Sequence, residues 1–388
     1  MNVFNSLIDQ STVVEILKEA VNSAQKLNES SQVMTNTWLF TGPPGSGRSN
    51  AAIAFAAALV CKEGGCSKCN DCLSTILGNH ADVELIKTQG LSIKIDEVRE
   101  LISRASWAPS VANYRVVVIE DADRLTDSAA NALLKVIEEP GLRTIWLLCA
   151  PTLTDVLPTI RSRCRHLSLR TPSTKAITNL LIERDLVDAK TAEFVARASG
   201  GHVGRARRLA TDANARQNRA NILKLPLMIK DITSAFKAAQ QLVETAKTDA
   251  VADAEKKDED EISKLKEAWG TTGSKMVSGG SKAVKELEKE LKSRSTRMVR
   301  DYLDLALLDL ATLYRDVLLL QSNLTDSLVN QDLIEQIKIM ANSINPASTL
   351  GMIEAILKTR RNLAQNATPL LLIEALMLNL RKCMLGCL

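Results

Sequence analysis

A short apolar run, Thr37–Thr41, leads straight into Gly42-Pro43-Pro44-Gly45-Ser46-Gly47-Arg48-Ser49, and an alanine-rich stretch follows as far as Val60. Strand, glycine-rich loop and helix in that order are what a phosphate-binding loop requires. The glycines let the backbone wrap so that its N–H groups converge on phosphate oxygens. The helix behind them presents its positive N-terminal end. Ser49 offers a hydroxyl to Mg²⁺. At one position the motif departs from its usual form: Arg48 stands where lysine is expected. Lysine is a compact point charge, whereas arginine is longer, planar and forked, and fits a tight cradle poorly. These eight residues are the candidate nucleotide site, with ATP and Mg²⁺ as ligand. A Gly/Pro turn that binds nothing is the alternative.

Further along, Val83–Ile86, Arg115–Ile119 and Thr144–Ala150 read as strands, and 11–28, 95–107 and 126–137 as helices. Strands alternating with helices across 37–170 predict a mostly parallel sheet covered by helices. The strand Arg115–Ile119 runs into Glu120-Asp121. An active ATPase of this type carries Asp then Glu there, the first for Mg²⁺ and the second for the attacking water. The swapped order displaces each carboxylate by about one methylene, and errors of that size can cost ~100-fold in rate. The other reading is that Glu120 and Asp121 merely cap or solvate a strand end.

Four of the eight cysteines, Cys61, Cys66, Cys69 and Cys72, lie within twelve residues. The N-terminus has neither a basic region nor an apolar run, so no export signal is read, and no apolar stretch reaches ~20 residues. The expected setting is cytoplasmic, with no membrane, and there a cysteine cluster implies metal rather than disulfides. Four thiolates at Cys-x4-Cys-x2-Cys-x2-Cys spacing suit closed tetrahedral Zn²⁺ in a structural role; a reduced, metal-free cluster is the alternative. His80 is an outside candidate for ligation, with a solvated loop histidine the blander reading. Cys149, Cys164, Cys383 and Cys387 are expected to be small buried hydrophobes or tail thiols.

The length of 388 residues calls for two or three domains. Aromatics make up only 3% and the net charge is +4, which favours helix over sheet and does not by itself argue for a nucleic-acid face. Beyond Pro172 strand signals vanish. A small helical unit spans 173–210 with a Gly-Gly break at 200–201. Helix follows over 215–245, and two or more helices fill 282–322. Residues 249–267 hold eight acids and four lysines, and 270–281 are Gly/Ser-rich; together these read as a flexible insert. Leu303, Leu307, Leu310 and Leu313 recur at helical spacing and are expected to bury against other helices. Trp38 and Trp107 read as core. Arg161, Arg165, Arg170, Arg205, Arg207 and Arg208 read as a solvated basic face before a DNA contact.

Taken together the motifs resemble the clamp loaders of bacterial DNA polymerase III, of the AAA+ class. Phe4-x-x-Leu7-Ile8-x-Gln10 is similar to their N-terminal box. So are the cysteine cluster placed after the phosphate-loop helix, Asn131-Ala-Leu-Leu-Lys135-x-x-Glu138-Glu139-Pro140, Leu157-Pro-Thr-Ile-Arg-Ser162-Arg163-Cys164, and the stretch from Arg361 to Glu374. The resemblance implies an α/β AAA+ parallel-sheet P-loop domain with a zinc module (1–171, cysteines at 61–72), a helical lid (172–212) and an all-α collar (213–388) carrying the insert near 249–281. It implies that Arg163 is an arginine finger acting in trans on a neighbour's ATP. The implied partners are the delta and gamma/tau subunits in a hetero-oligomer, the sliding clamp, and primer-template DNA through the assembly. Three departures place the chain nearer the delta-prime branch than the ATP-hydrolysing gamma/tau branch: Arg48, Glu120-Asp121, and Gly204 where the ATPases carry a sensor arginine, with Arg205 about 100° further round the helix. The expectation is weak or absent hydrolysis of its own. The gamma/tau-type ATPase is the second reading, and a zinc-stabilised scaffold that binds neither nucleotide nor DNA is the third.

Overall fold

The computed structural model describes residues 2–25, 34–88, 90–141, 143–269, 271–272, 275–276, 280–325, 328–364 and 367–384. The chain divides into two compact units, 1–88 with 92–210, and 89–91 with 211–388.

The first unit runs α1 (Ser11–Gln25), β1 (Thr37–Thr41), α2 (Arg48–Val60), α3 (Asn70–Leu77), β2 (Val83–Ile86), α4 (Ile95–Ala105), β3 (Arg115–Ile119), α5 (Asp127–Glu138), β4 (Thr144–Ala150), α6 (Pro158–Arg161) and β5 (Arg165–Ser168). All five strands are parallel, in the order β2-β3-β4-β1-β5. Successive side chains on a strand face opposite ways. Accordingly Trp38, Phe40, Val116, Val118 and Leu147 enter one apolar cluster, while Leu39, Val117, Ile119, Trp146 and Leu148 enter another. Both faces are covered, which is why β1, β3 and β4 read as unbroken apolar runs rather than alternating ones. Alanines along α2 let it approach the sheet closely, and Phe55 sets its ring edge-on to Trp38 with centroids 5.0 Å apart. The candidate phosphate loop follows β1 and the acidic pair follows β3, so both leave the sheet at the C-terminal ends of its parallel strands.

Trp107 departs from expectation: its residue is 64% exposed. The buried stripe of α4 is Val98, Leu101 and Ala105, and the helix ends there, so Trp107 falls beyond the last turn and off the stripe. Three further helices complete this unit: α7 (Thr174–Glu183), α8 (Ala189–Ala198) and α9 (Val203–Thr211). Ser173 caps α7 by accepting from the Ala176 N–H, and Asp188 caps α8 by accepting from that of Thr191.

The second unit is helical apart from one small hairpin: α10 (Ala213–Lys224), α11 (Ile232–Trp269), β6 (Thr271–Thr272), β7 (Lys275–Met276), α12 (Gly280–Gln321), α13 (Ile334–Ser343), α14 (Pro346–Ala364) and α15 (Pro369–Met384). Leu303, Leu307, Leu310 and Leu313 are buried, in a cluster with Ile337, Met352, Ile356, Ile373 and Leu380. Residues 249–269 are not a break in the fold: the backbone of α11 continues through them. Alanine, glutamate and lysine are strong helix formers, and Lys256/Asp260 and Lys257/Glu261 stand four apart with opposite charge. In the Gly/Ser-rich stretch, β6 and β7 pair antiparallel. Residues 282–321, expected as two or more helices, lie in the single helix α12. Residues 26–28 of the expected first helix, and Cys387, lie outside the described residues. No helix among them is long and apolar enough to cross a membrane.

Candidate nucleotide and metal sites

The phosphate loop is held at both ends by backbone. Gly42 N–H donates to Pro151 O (3.2 Å) beyond β4, and Ser46 N–H donates to Pro43 O (3.0 Å), closing a turn. Gly45 has φ +88°, and Gly47, at φ +86° and ψ 21°, is the left-handed N-cap of α2. Gln10 ties the loop to the end of β5: its Nε2 donates to Arg170 O (2.6 Å) and Ser46 O (3.5 Å), and its Oε1 accepts from Arg170 N–H (3.2 Å). Arg48 folds back on the loop, its Nη1 donating to Gly42 O at 3.0 Å. That bond commits part of the guanidinium to the loop's own carbonyl. Two buried donors of the loop, Ser46 Oγ and Arg48 Nε, have no hydrogen-bond partner among the described residues.

Glu120 and Asp121 follow β3 at the same edge of the sheet. Glu120 N–H donates to Ile86 O (3.1 Å), and its Oε1 lies 3.3 Å from Lys87 Nζ. A third carboxylate, Asp123, was not foreseen. Its Oδ1 is buried without a partner, and burial, with Asp121 nearby, pushes its carboxyl above the usual carboxylate range. The field of Arg48 reaches Asp123, and buried Cys149 feels Arg48 together with all three carboxylates, so the fold gathers these groups around the loop. The turn before α9 also meets the loop. A Cβ at position 45 would stand 2.5 Å from His202 Cα, so His202 abuts Gly45. Burial first, then the charges of Arg205 and Arg48, lower the pKa of His202. Arg205 itself is buried, and its N–H donates to His202 Nδ1 (3.2 Å). The only sequence signal for His202 was the Gly200-Gly201 pair before it.

The four cysteine sulfurs of 61–72 all lie within 4.8 Å of one another. Cys61 Sγ is 3.8 Å from that of Cys66 and 3.6 Å from that of Cys69. Zinc arms of about 2.3 Å at tetrahedral angles place sulfurs about 3.8 Å apart, so Cys61, Cys66 and Cys69 stand at the spacing that Zn²⁺ requires. The Cys69 N–H points at Cys66 Sγ (3.3 Å) and the Cys72 N–H at Cys69 Sγ (3.4 Å), an arrangement that favours thiolates. Burial raises the Cys61 thiol pKa, but the N–H groups of Cys66, Gly65 and Glu63 outweigh it and bring it down to about 7. Gly65, at φ +102°, leaves room for Val3, whose N–H donates to Gly65 O (3.0 Å). His80 is not the solvated loop histidine expected: it is buried, its Nδ1 accepts from Asp82 N–H (3.0 Å), and its Nε2 lies 3.7 Å from Asp71. Both ring nitrogens thus face structural partners, and the ring stands outside the thiol cluster.

Arg163 follows α6 on the surface. Its side chain is 40% exposed, with Nη2 2.6 Å from Glu138 Oε1 and Nη1 donating to Thr159 O (2.9 Å). The arginine and the cysteine cluster therefore stand apart from the groups collected around the loop, as separate features of the same unit.

A family model described as "DNA polymerase III, delta subunit" matches residues 16–173, and one described as "DNA polymerase III, delta subunit, C terminal" matches 304–382. The delta-prime subunit of Bacillus subtilis is 28% identical over 370 residues, 95% of each chain. The chain resembles the delta-prime subunit of bacterial DNA polymerase III. Delta-prime of Pseudomonas aeruginosa is 32% identical over 49% of this chain and 60% of its own length. The gamma/tau subunit of Mycobacterium tuberculosis is 33% identical over 43% of this chain, but that match spans only 31% of the relative. The chain is thus similar to both the delta-prime and the gamma/tau subunits. Among solved structures, a gamma-subunit-related protein from Thermotoga maritima is covered over 99% of its length, and 94% of this chain, with a TM-score of 0.40 and 16% identity.

Proposed function

We propose that this chain is a clamp-loader subunit of the delta-prime type. It helps load the sliding clamp onto primed DNA within a hetero-oligomer with delta and gamma/tau subunits, and it lends Arg163 to a neighbouring subunit's ATP. Its own hydrolysis is weak or absent. The carrying observation is the contrast between two arginines: Arg48, in the loop, is bonded to the loop's own Gly42 O, while Arg163 is displayed at the surface on Glu138. A fixed, always-charged fork beside a transferring γ-phosphoryl is worth about 10³–10⁵ in rate in other NTPases. Glu120-Asp121 and Gly204 support the same division of labour. The parts are assigned as an AAA+ domain over 1–171, a lid over 172–212 and a collar over 213–388. Gly42–Ser49 with Glu120 and Asp121 form the nucleotide site, and Cys61, Cys66, Cys69 and Cys72 the structural Zn²⁺ site. Primer-template DNA meets the chain through the assembly.

The second reading, a gamma/tau-type ATPase, draws on the identity to those subunits and on the intact glycines of the loop. Co-purification with candidate loader subunits, then ATP turnover by the chain alone and by the complex, separates the two. Arg163→Ala is expected to cut turnover of the assembled complex by at least about tenfold and leave assembly intact. Unchanged turnover removes the finger assignment, and robust turnover by the isolated chain favours the second reading.

A further inference from the structure

We propose that the cysteine module braces the surface loop 107–114, so that metal binding at Cys61, Cys66, Cys69 and Cys72 and order in that loop rise and fall together. The inference rests on the reading of these four cysteines as a Zn²⁺ site. It gives the module a target beyond the stretch of chain between α2 and β2 in which it lies.

The loop joins α4 to β3 and has little apolar burial of its own. Trp107, Ala108, Ser110, Val111 and Asn113 are exposed. Ala112 and Tyr114 pack, half-buried, against the apolar cluster that also holds Cys61 and Cys72. A loop with so few buried groups needs polar anchors to keep one conformation.

Two anchors hold it, and both lead to the cysteine module. The first is Asp82, fully buried just before β2, whose carboxylate accepts the N–H groups of Ser110 (2.6 Å), Val111 (2.7 Å) and Ala112 (2.8 Å). The N–H of Asp82 donates to His80 Nδ1 at 3.0 Å, which leaves the ring proton on Nε2. That nitrogen faces Asp71 Oδ1 at 3.7 Å, and Asp71 lies in the first turn of α3, between Cys69 and Cys72. The second anchor is Tyr114, whose hydroxyl donates to Ala24 O (3.0 Å) in the last turn of α1. The next residue, Gln25, completes the path: its Nε2 donates to Cys61 O and Lys62 O, both at 3.3 Å. The loop is thus gripped at its middle and at its end by residues whose other partners lie beside the cysteines.

Residues 62–69 form neither helix nor strand, so the module takes its shape from its ligands. Without metal, Asp71 and the carbonyls of Cys61 and Lys62 are no longer fixed relative to one another, and both anchors lose their footing. Linkage makes the coupling reciprocal: loosening an anchor weakens metal binding by the same factor.

The test is hydrogen exchange of the full chain, read by mass spectrometry before and after chelation, with zinc content measured on the same samples. Chelation is expected to speed exchange at 110–112 by at least about tenfold and to leave α5, in the apolar cluster on the other face of the sheet, within about twofold. A zinc-loaded chain whose loop exchanges equally with and without metal overturns the brace and leaves the zinc reading standing. A chain that takes up no zinc removes that reading, and the brace with it. Equal acceleration of the loop and α5 also overturns the brace, because the metal then supports the whole unit. The reverse arm is zinc affinity, measured by competition with a chromophoric chelator. Asp82→Asn and Tyr114→Phe should each bind zinc at least about fivefold more weakly than the parent. Should Asp82→Asn fail to fold, Tyr114→Phe, which loses only a hydroxyl, carries the comparison. Parent affinity in the folded variants overturns the brace.

Discussion

Gly45 and Gly47 share almost the same φ, near +87°, yet they meet different surroundings. Nothing lies within 4 Å of a Cβ on Gly47, while one on Gly45 would collide with His202. Gly47→Ala should therefore cost only backbone strain, about 1 kcal/mol, and Gly45→Ala more, in the range of about 1–3 kcal/mol or beyond. Urea titrations of the two variants check this, and equal losses would mean that the lid does not press on the loop. Asp82 gives a second residue-scale prediction. It is fully buried and accepts the N–H groups of Ser110 (2.6 Å), Val111 (2.7 Å) and Ala112 (2.8 Å). Burial alone would raise its pKa, but those three donors prevail and hold it below the usual carboxylate value. A depressed folded pKa gives stability that is present above the unfolded value, about 3.9, and is lost as pH falls through the folded value. Asp82→Asn should cost about 1–3 kcal/mol at pH 7, with the gap to the parent narrowing in acid. A gap that does not change with pH would show that the charge is not what the loop 110–112 relies on. Nothing in the sequence singles out this aspartate, because its partners are backbone groups 28 to 30 residues away.

At the scale of elements, the cysteine module shows how local a site can be. Three of its four cysteines fall between α2 and α3 or at the α3 cap, and the fourth, Cys72, lies in the first turn of α3. Ligand spacing alone therefore brings the sulfurs together, which is why the cluster was legible from composition. Purified chain should carry close to one zinc, and strong chelator should lower its melting temperature; Cys66→Ser should lower both the zinc content and the melting temperature. Metal content near zero, with an unchanged melt on chelation, would leave a free thiol cluster. The strands β1 to β4 were equally legible, since buried parallel strands are short apolar runs bounded by turn residues. The helical course of 249–269 was not. A charge-dense segment has the composition of a disordered one, yet alanine, glutamate and lysine are also strong helix formers, and the backbone of α11 runs on through it.

The second unit, taken as a whole, is organised around a buried charge network as well as leucines. Arg219 Nε donates to Asp309 Oδ1 at 2.9 Å, both side chains at most 5% exposed, and its Nη2 donates to Asn330 Oδ1. Asp316 in turn accepts from the N–H groups of Val329 (3.0 Å) and Asn330 (2.7 Å). The network ties α10 to α12 and to the segment before α13, with Arg219 90 and 111 residues from Asp309 and Asn330. Removing one member leaves an uncompensated buried charge, so Arg219→Ala should destabilise by about 3–5 kcal/mol. Replacing the pair together, Arg219→Met with Asp309→Leu, should cost far less. A single variant that melts like the parent would show the pair to be dispensable.

The sequence by itself determined the parallel sheet, the loop after β1, the acidic pair after β3 and the thiol cluster. Each of these rests on neighbours in the chain: hydrophobic period, glycine placement and ligand spacing act over a few residues. Tertiary structure decided what the loop meets. That Arg48 turns back onto Gly42, that His202 settles on Gly45, and that Asp123 comes into the field of Arg48 all depend on segments 75 to 157 residues apart, or on a rotamer chosen by packing. Such contacts leave no periodic trace, because the residue types involved carry no spacing relative to one another until the sheet and lid have formed.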